Sequence, residues 1–480
     1  MSRGLMWFRQ DLRLSDNPAL SEACRSCDEL LCVFIDDPME QGISRLGAAS
    51  RVWLHHSLAA LDRSLRDEGS ELFLARGDAS RILRDYIEKG GIDRVFWNRC
   101  YDPATIARDK HIKSALSDCE PRTFNGLLIH EPWQNLKSDG SPYRVYTPYW
   151  RAAARLVDED ETCVDTLQKP RVIPGLSPDV ANALSQKLRL DELQLLPSLD
   201  WHESMMSHWT AGEDAARAQL ERFLKGPVND YGVNRDRPGV AGTSRLSPHL
   251  HFGEISPRHV MNRLLAGRKT GALSDDENTF AREIVWREFA YAILFHFPQT
   301  IDEPLDERFS RFAWRQDIDR ELERWQRGMT GVPIVDAGMR ELYATGWMHN
   351  RVRMIVASFL IKNLLIPWQA GERWFRDTLV DADLASNSMG WQWTAGSGVD
   401  ASPFFRVFNP VLQGEKFDKQ GDYVRHWVPE LAEVETRYLH KPWELDEATR
   451  KTLDYPEPLV DLKQTRQEAL DAFAQIKGTN

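Results

Sequence analysis

The chain has 480 residues, 42% of them apolar and 28% charged, with a formal net charge of -11. This composition excludes a disordered or low-complexity chain and gives ample material for two cores. It contains no apolar run of the roughly 18 residues that a membrane span needs. The charge argues against wholesale coating of nucleic acid but leaves room for a local basic patch, and Lys225 to Lys269 is such a stretch. Charges in the first turns of MSRGLMWFRQDLRL exclude a secretory leader.

In chain order, the first 130 residues alternate between two periodicities. Leu5–Phe8, Leu30–Ile35, Glu71–Ala75, Arg94–Trp97 and Leu127–Ile129 read as strands. Helical patterns lie between them at Asn17–Cys24, Ser44–Glu68, Asp78–Glu88 and Pro103–Leu116. Such alternation implies a parallel, Rossmann-like α/β sheet. The region has neither GxGxxG nor a P-loop. The cysteines all lie before residue 164, and the lone Cys24-Cys27 CxxC reads as ordinary thiols in a reducing cytosol.

Residues 121–200 hold eight of the 25 prolines and read as a connection between domains. From about Trp201 helical periods dominate, so the second domain should be all-α. The expected division is therefore 1–130, an α/β domain; 131–200, a linker; and 201–480, a helical domain. Twelve of the 17 tryptophans fall after residue 200, which fits either core packing or a use in stacking and redox chemistry.

Four segments carry candidate chemistry. Thr243-Ser244-Arg245-Leu246-Ser247 offers hydroxyls and a guanidinium to a diphosphate, or a helix cap. Glu283, Trp286 and Arg287 fall at i, i+3 and i+4 on one helix face, either buried with partners or as a surface ion pair. Trp347, Asn350/Arg351 and Met354 form another stripe, in which an Asn amide needs satisfying; His349 is given no catalytic role. Asp381, Asp383 and Asn387 could accept from ribose hydroxyls, an Arg or a ring N–H. Without a third acidic ligand nearby they are not read as a metal site.

Together with MWFRQDLRLSDNPAL, TGWMHNRVRM, DADLASNSMGWQW and FRVFNPVLQGEKFD, these segments resemble the photolyase/cryptochrome family nearly end to end. Within it the chain is similar to microbial cyclobutane pyrimidine dimer photolyases. The resemblance implies light-driven repair of these dimers by electron transfer from excited reduced FAD, with a cryptochrome-like photoreceptor as the alternative. It assigns Tyr231, Thr243, Ser244, Arg245, Leu246, Ser247, Arg287, Asp381, Asp383 and Asn387 to FAD, and Asn350 to the flavin N5 side, where an Asn favours a fully reduced anionic flavin. Glu283, Trp286, Met354 and Trp393 match the dimer pocket, and Arg235, Arg351 and Gln413 the DNA-facing rim. Trp391, Trp368 and Trp314 match an electron-transfer chain. Asn350 and Met354 stand where enzymes of the (6-4) type carry a histidine pair. Ala104-Thr105 and Thr300-Ile301 depart from the folate-binding pattern, so an antenna could be a folate held differently, a deazaflavin, another flavin, or absent. The expected partner is UV-damaged DNA, for a monomer in the cytoplasm, with no membrane.

Overall fold

A computed structural model describes residues 2–37, 45–116, 119–184, 187–266, 273–400 and 405–477; Ser44, Arg268 and Lys269 lie outside them. The chain forms two compact units. One comprises Met1–Tyr143, Thr147–Gly226 and Ser244–Pro298; the other comprises Arg144–Tyr146, Pro227–Thr243 and Gln299–Asn480.

The first unit is built on a parallel sheet of β1 (Arg3–Phe8), β2 (Glu29–Asp36), β3 (Leu72–Arg76), β4 (Arg94–Asn98) and β5 (Glu120–Phe124), in the order β3-β2-β1-β4-β5. Parallel neighbours need crossovers. These carry α1 (Pro18–Ser26), α2 (Ala48–Asp67), α3 (Ala79–Gly90) and α4 (Pro103–Ala115). β1 and β2 are buried almost throughout, which is why they read as unbroken apolar runs. Trp7, Val33, Phe73, Val95 and Trp97 join Ile82, Leu83 and Tyr86 of α3 in the core on one side of the sheet.

The fifth strand corrects the sequence reading. It is Glu120–Phe124, not Leu127–Ile129. As an edge strand it is half-exposed, so it carries Glu, Arg and Thr, and tolerates Pro121. The apolar run after it is buried without being a strand: Ile129 N–H donates to the Glu288 carboxylate at 2.9 Å.

The N-terminal motif is spent on packing. Asn17 caps α1 by accepting from Leu20 N at 3.1 Å, and its amide sits among Asp11 and Asn98. Arg9 pairs with Asp109 at 2.8 Å. Arg13 donates to the carbonyls of Gly126 at 2.7 Å and Gly253 at 2.9 Å. Gly253 has φ +64°, and a Cβ there would lie 2.0 Å from the Gln10 carbonyl oxygen, so this close approach requires glycine. The same unit includes the helices Glu213–Lys225, Ser247–His251, Pro257–Ala266 and Asp275–His296.

All regular structure in the second unit is helical among the described residues. Its main core gathers Trp325, Val335, Leu342, Val356, Leu360, Trp368, Phe375, Trp391 and Val424. A smaller aromatic core of Phe309 and Phe312, with Phe405 and Phe473 against it, closes on the Leu462–Lys477 helix. No described helix is long and apolar enough to cross a membrane.

Candidate active site

The expected site residues divide between the units. Ser244 to Ser247, Glu283, Trp286 and Arg287 lie in the first, and all the others in the second.

Thr243 closes a segment of the second unit, and Ser244–Ser247 open one of the first. The N-cap of the short Ser247–His251 helix is Leu246, which makes no side-chain cap bond, in place of the hydroxyl cap the sequence offered. Arg245 is instead held at φ +52°, a conformation that costs a non-glycine residue energy and must be imposed by its surroundings. Those surroundings are visible. Its guanidinium lies 4.3 Å from the Trp209 ring, which packs on Trp53. Trp53 donates to Glu254 at 3.1 Å, and Glu254 also pairs with His249. Gln219 holds the Ser244 carbonyl at 2.7 Å.

The Asp275–His296 helix starts in a capping box of Ser274 and Glu277. It turns half-buried Glu283, Trp286 and Arg287 to one face, as the i, i+3, i+4 spacing predicts. Arg287 donates to the carbonyls of Leu127 at 3.0 Å and Leu250 at 3.4 Å, and lies 4.8 Å from the Tyr291 ring. The next residue, Glu288, escaped the sequence reading. It is 2% exposed, and one carboxylate oxygen accepts from Ile129 N at 2.9 Å and His130 N at 3.2 Å. Burial pushes its carboxyl up to about 7, against the opposing pull of Arg287. The signal available was an acid inside the apolar stripe Val285–Phe289–Ala292.

In the second unit, Tyr231 is buried and Arg235 stacks over it at 5.5 Å. Arg351 pairs with Asp236 at 2.7 Å, covers the Phe417 ring at 4.5 Å and reaches Met354 Sδ at 3.8 Å. Arg235 and Arg351, both expected to face DNA, each rest against a neighbouring side chain of the same unit. Asn350 is exposed at the start of the helix Asn350–Ser358, and Met354 is half-buried on it. Arg353 grips buried Asp381 through both carboxylate oxygens, at 3.0 and 2.8 Å. Asp383 caps the Leu384–Ala395 helix by accepting from Ser386 N at 2.8 Å. Asn387 donates to Glu372 Oε1 at 3.0 Å. Trp393 is half-buried on that helix, as is Gln413 on Pro410–Phe417, whose Asn409 cap accepts from Val411 N at 3.0 Å.

Of the three tryptophans expected to form an electron-transfer chain, Trp391 and Trp368 are buried, at 3% and 2% exposed, and Trp314 is half-buried beside Phe312 at 4.4 Å. Trp391 packs edge-on to Phe375 at 5.0 Å and Trp325 at 6.3 Å, and its indole N–H is buried without a hydrogen-bond partner. Gly371 makes room for it, since a Cβ there would fall 2.1 Å from the indole. At the positions that depart from the folate pattern, the Thr105 backbone N–H donates to the helix-cap carboxylate of Asp102 at 3.0 Å. The Thr300 carbonyl accepts from Gln392 at 2.8 Å.

Against known proteins, residues 4–170 match the DNA photolyase family model, and residues 280–475 match the FAD binding domain of DNA photolyase. The chain is 49% identical to the deoxyribodipyrimidine photo-lyase of Agrobacterium fabrum, over 99% of this chain and 98% of that protein. It is 36% identical to cryptochrome-1 of Arabidopsis thaliana, over 98% of this chain and 70% of that protein. The crystal structure of a bacterial class III photolyase from Agrobacterium tumefaciens superposes with a TM-score of 0.93 at 47% identity, over 100% of this chain and 98% of that one.

Proposed function

Because the chain belongs to the DNA photolyase family, we propose that this photo-lyase splits cyclobutane pyrimidine dimers in DNA, using light absorbed by reduced FAD. The observation that carries the reading is the full-length likeness to a deoxyribodipyrimidine photo-lyase, combined with Asn350 and Met354 in place of a histidine pair. The sequence division 1–130, 131–200 and 201–480 is kept as the functional one, with FAD held by the last part.

The residues fit a dinucleotide. Arg245 is strained into a loop rich in hydroxyl donors, and Trp391 keeps a buried N–H without a protein acceptor. Ser244, Arg245 and Ser247 would hold its phosphates. When bound, the reduced cofactor supplies one electron to the cyclobutane ring on excitation and recovers it after the ring opens.

The protein's part is positioning and electrostatics. Glu283 accepts from the N–H edge of a flipped pyrimidine dimer, while Trp286 and Trp393 stack on its rings and Met354 fills the remaining space. Asn350 presents a neutral amide that neither gives up nor takes a proton. Arg235, Arg351 and Gln413 hold the DNA backbone. Trp314, Trp368 and Trp391 would carry electrons from an external reductant towards oxidised flavin, outside each repair cycle.

A thymine oligonucleotide carrying defined lesions tests the reading. Cyclobutane dimers should disappear under blue light and persist in darkness, and (6-4) lesions should persist in both. Repair of neither lesion would favour a photoreceptor, a reading the likeness to cryptochrome-1 keeps in view.

A further inference from the structure

His349 precedes the proposed flavin residue Asn350 and is held by several neighbours. It is 2% exposed. Its backbone N–H donates to Glu341 at 3.2 Å, and the same carboxylate oxygen takes the Tyr423 hydroxyl at 2.7 Å. Its ring lies edge-on to Trp347 at 6.3 Å. Its Nδ1 caps the Asn350–Ser358 helix by accepting from Arg351 N at 3.2 Å.

That cap decides the tautomer. A nitrogen that accepts a hydrogen bond carries no proton, and a neutral imidazole has one N–H, so the proton sits on Nε2. Neutrality is enforced by the setting. Burial lowers the ring's affinity for a proton to about 4. The neighbouring Arg351, Arg353 and Arg235 act in the same direction, and Asp236 opposes them. Nε2 is buried and has no hydrogen-bond partner in the protein. A buried N–H left unpaired bears its full desolvation penalty, and native proteins rarely tolerate one.

We infer that His349 is a cofactor-binding residue, locked as the Nε2–H tautomer, whose acceptor is an oxygen of the bound FAD. This rests on the proposed function and adds a contact to it. The depth of the ring favours the cofactor over DNA, since Arg235 and Arg351, placed at the DNA rim, are both more exposed than His349. Its chain neighbours point the same way: Asn350 is the proposed flavin residue, and Arg353 holds Asp381. The imidazole thus does two jobs at once. Nδ1 sets the start of the helix that carries Asn350, and Nε2 reaches the ligand.

The test uses the full chain stripped of flavin and titrated with FAD, following quenching of flavin fluorescence. Asn is a good helix cap but does not extend to the Nε2 position. His349→Asn should therefore bind FAD about tenfold more weakly, the ~1.4 kcal/mol of one neutral hydrogen bond. The flavin-free variant should melt no lower than the flavin-free wild type, because an unpaired donor has been removed. Histidine 15N shifts in the wild type should show Nε2 protonated, with its signal moving when FAD binds; this measurement needs no variant to fold. Equal FAD affinity in the two proteins, or a proton on Nδ1, would overturn the inference. So would loss of binding to lesion DNA with FAD affinity intact, since that assigns the acceptor to DNA. Failure of the wild type to take up FAD would instead defeat the underlying reading.

Discussion

Glu288 shows how one buried group can set a pH response. Its carboxyl stays protonated to about 7, whereas in the unfolded chain it releases its proton near 4.5. Between these values the folded state binds the extra proton. Its stabilising contribution is complete below 4.5, declines as pH rises to about 7, and is flat above that. The window is worth about 3 kcal/mol. Glu288→Gln keeps an acceptor for Ile129 and His130 but cannot titrate, so urea midpoints measured from pH 4.5 to 8 should slope less than in wild type; equal slopes would refute the assignment. Trp314 poses a kinetic test. Trp314→Phe should slow photoreduction of oxidised flavin by an order of magnitude and leave repair by chemically prereduced enzyme unchanged, as read by flavin absorbance and dimer loss. Loss of both would remove Trp314 from the relay. Glu288 escaped the sequence reading, and His349 was given no role in it, for one reason: a buried polar group is defined by what surrounds it, and neighbours brought together by folding, such as Ile129 for Glu288 or Glu341 for His349, are not visible in local spacing.

At the scale of elements, periodicity worked where burial was uniform. β1 to β4 announce themselves as apolar runs because helices cover the sheet. β5 does not, because an edge strand may be polar and may contain proline, so the apolar run after it drew the assignment instead. The helix carrying Glu283, Trp286 and Arg287 was legible from i, i+3, i+4 spacing alone. The close approach of the Trp368–Thr378 and Leu384–Ala395 helices was not, since it depends on the missing side chain at Gly371. Gly371→Ala should therefore force Trp391 out of place, costing about 1–3 kcal/mol by overpacking. A lowered melting temperature together with slowed flavin photoreduction is the expected pair of results; a normal melting temperature would mean that the helices separate freely.

For the whole molecule, sequence order and compactness diverge. The chain enters the second unit at Arg144–Tyr146, again at Pro227–Thr243, and finally at Gln299, so motifs adjacent in sequence, such as Thr243 and Ser244, belong to different units. Composition could indicate an α/β part and a helical part, but not these returns. The motifs carried the functional reading because each keeps its residue types, whatever unit it folds into. The net charge of -11 also confines attraction for DNA to local groups, among them the proposed contacts Arg235 and Arg351, so lesion binding should be selective. In the proposed reaction, light absorbed by FAD on this chain opens the cyclobutane ring. Its most direct test is the action spectrum of dimer loss, measured anaerobically with FAD-reconstituted, prereduced protein. Repair is expected to follow the absorption of the bound reduced flavin and to vanish in flavin-free protein. Repair that proceeds in darkness, or at wavelengths where the reconstituted protein does not absorb, would contradict the proposed reaction.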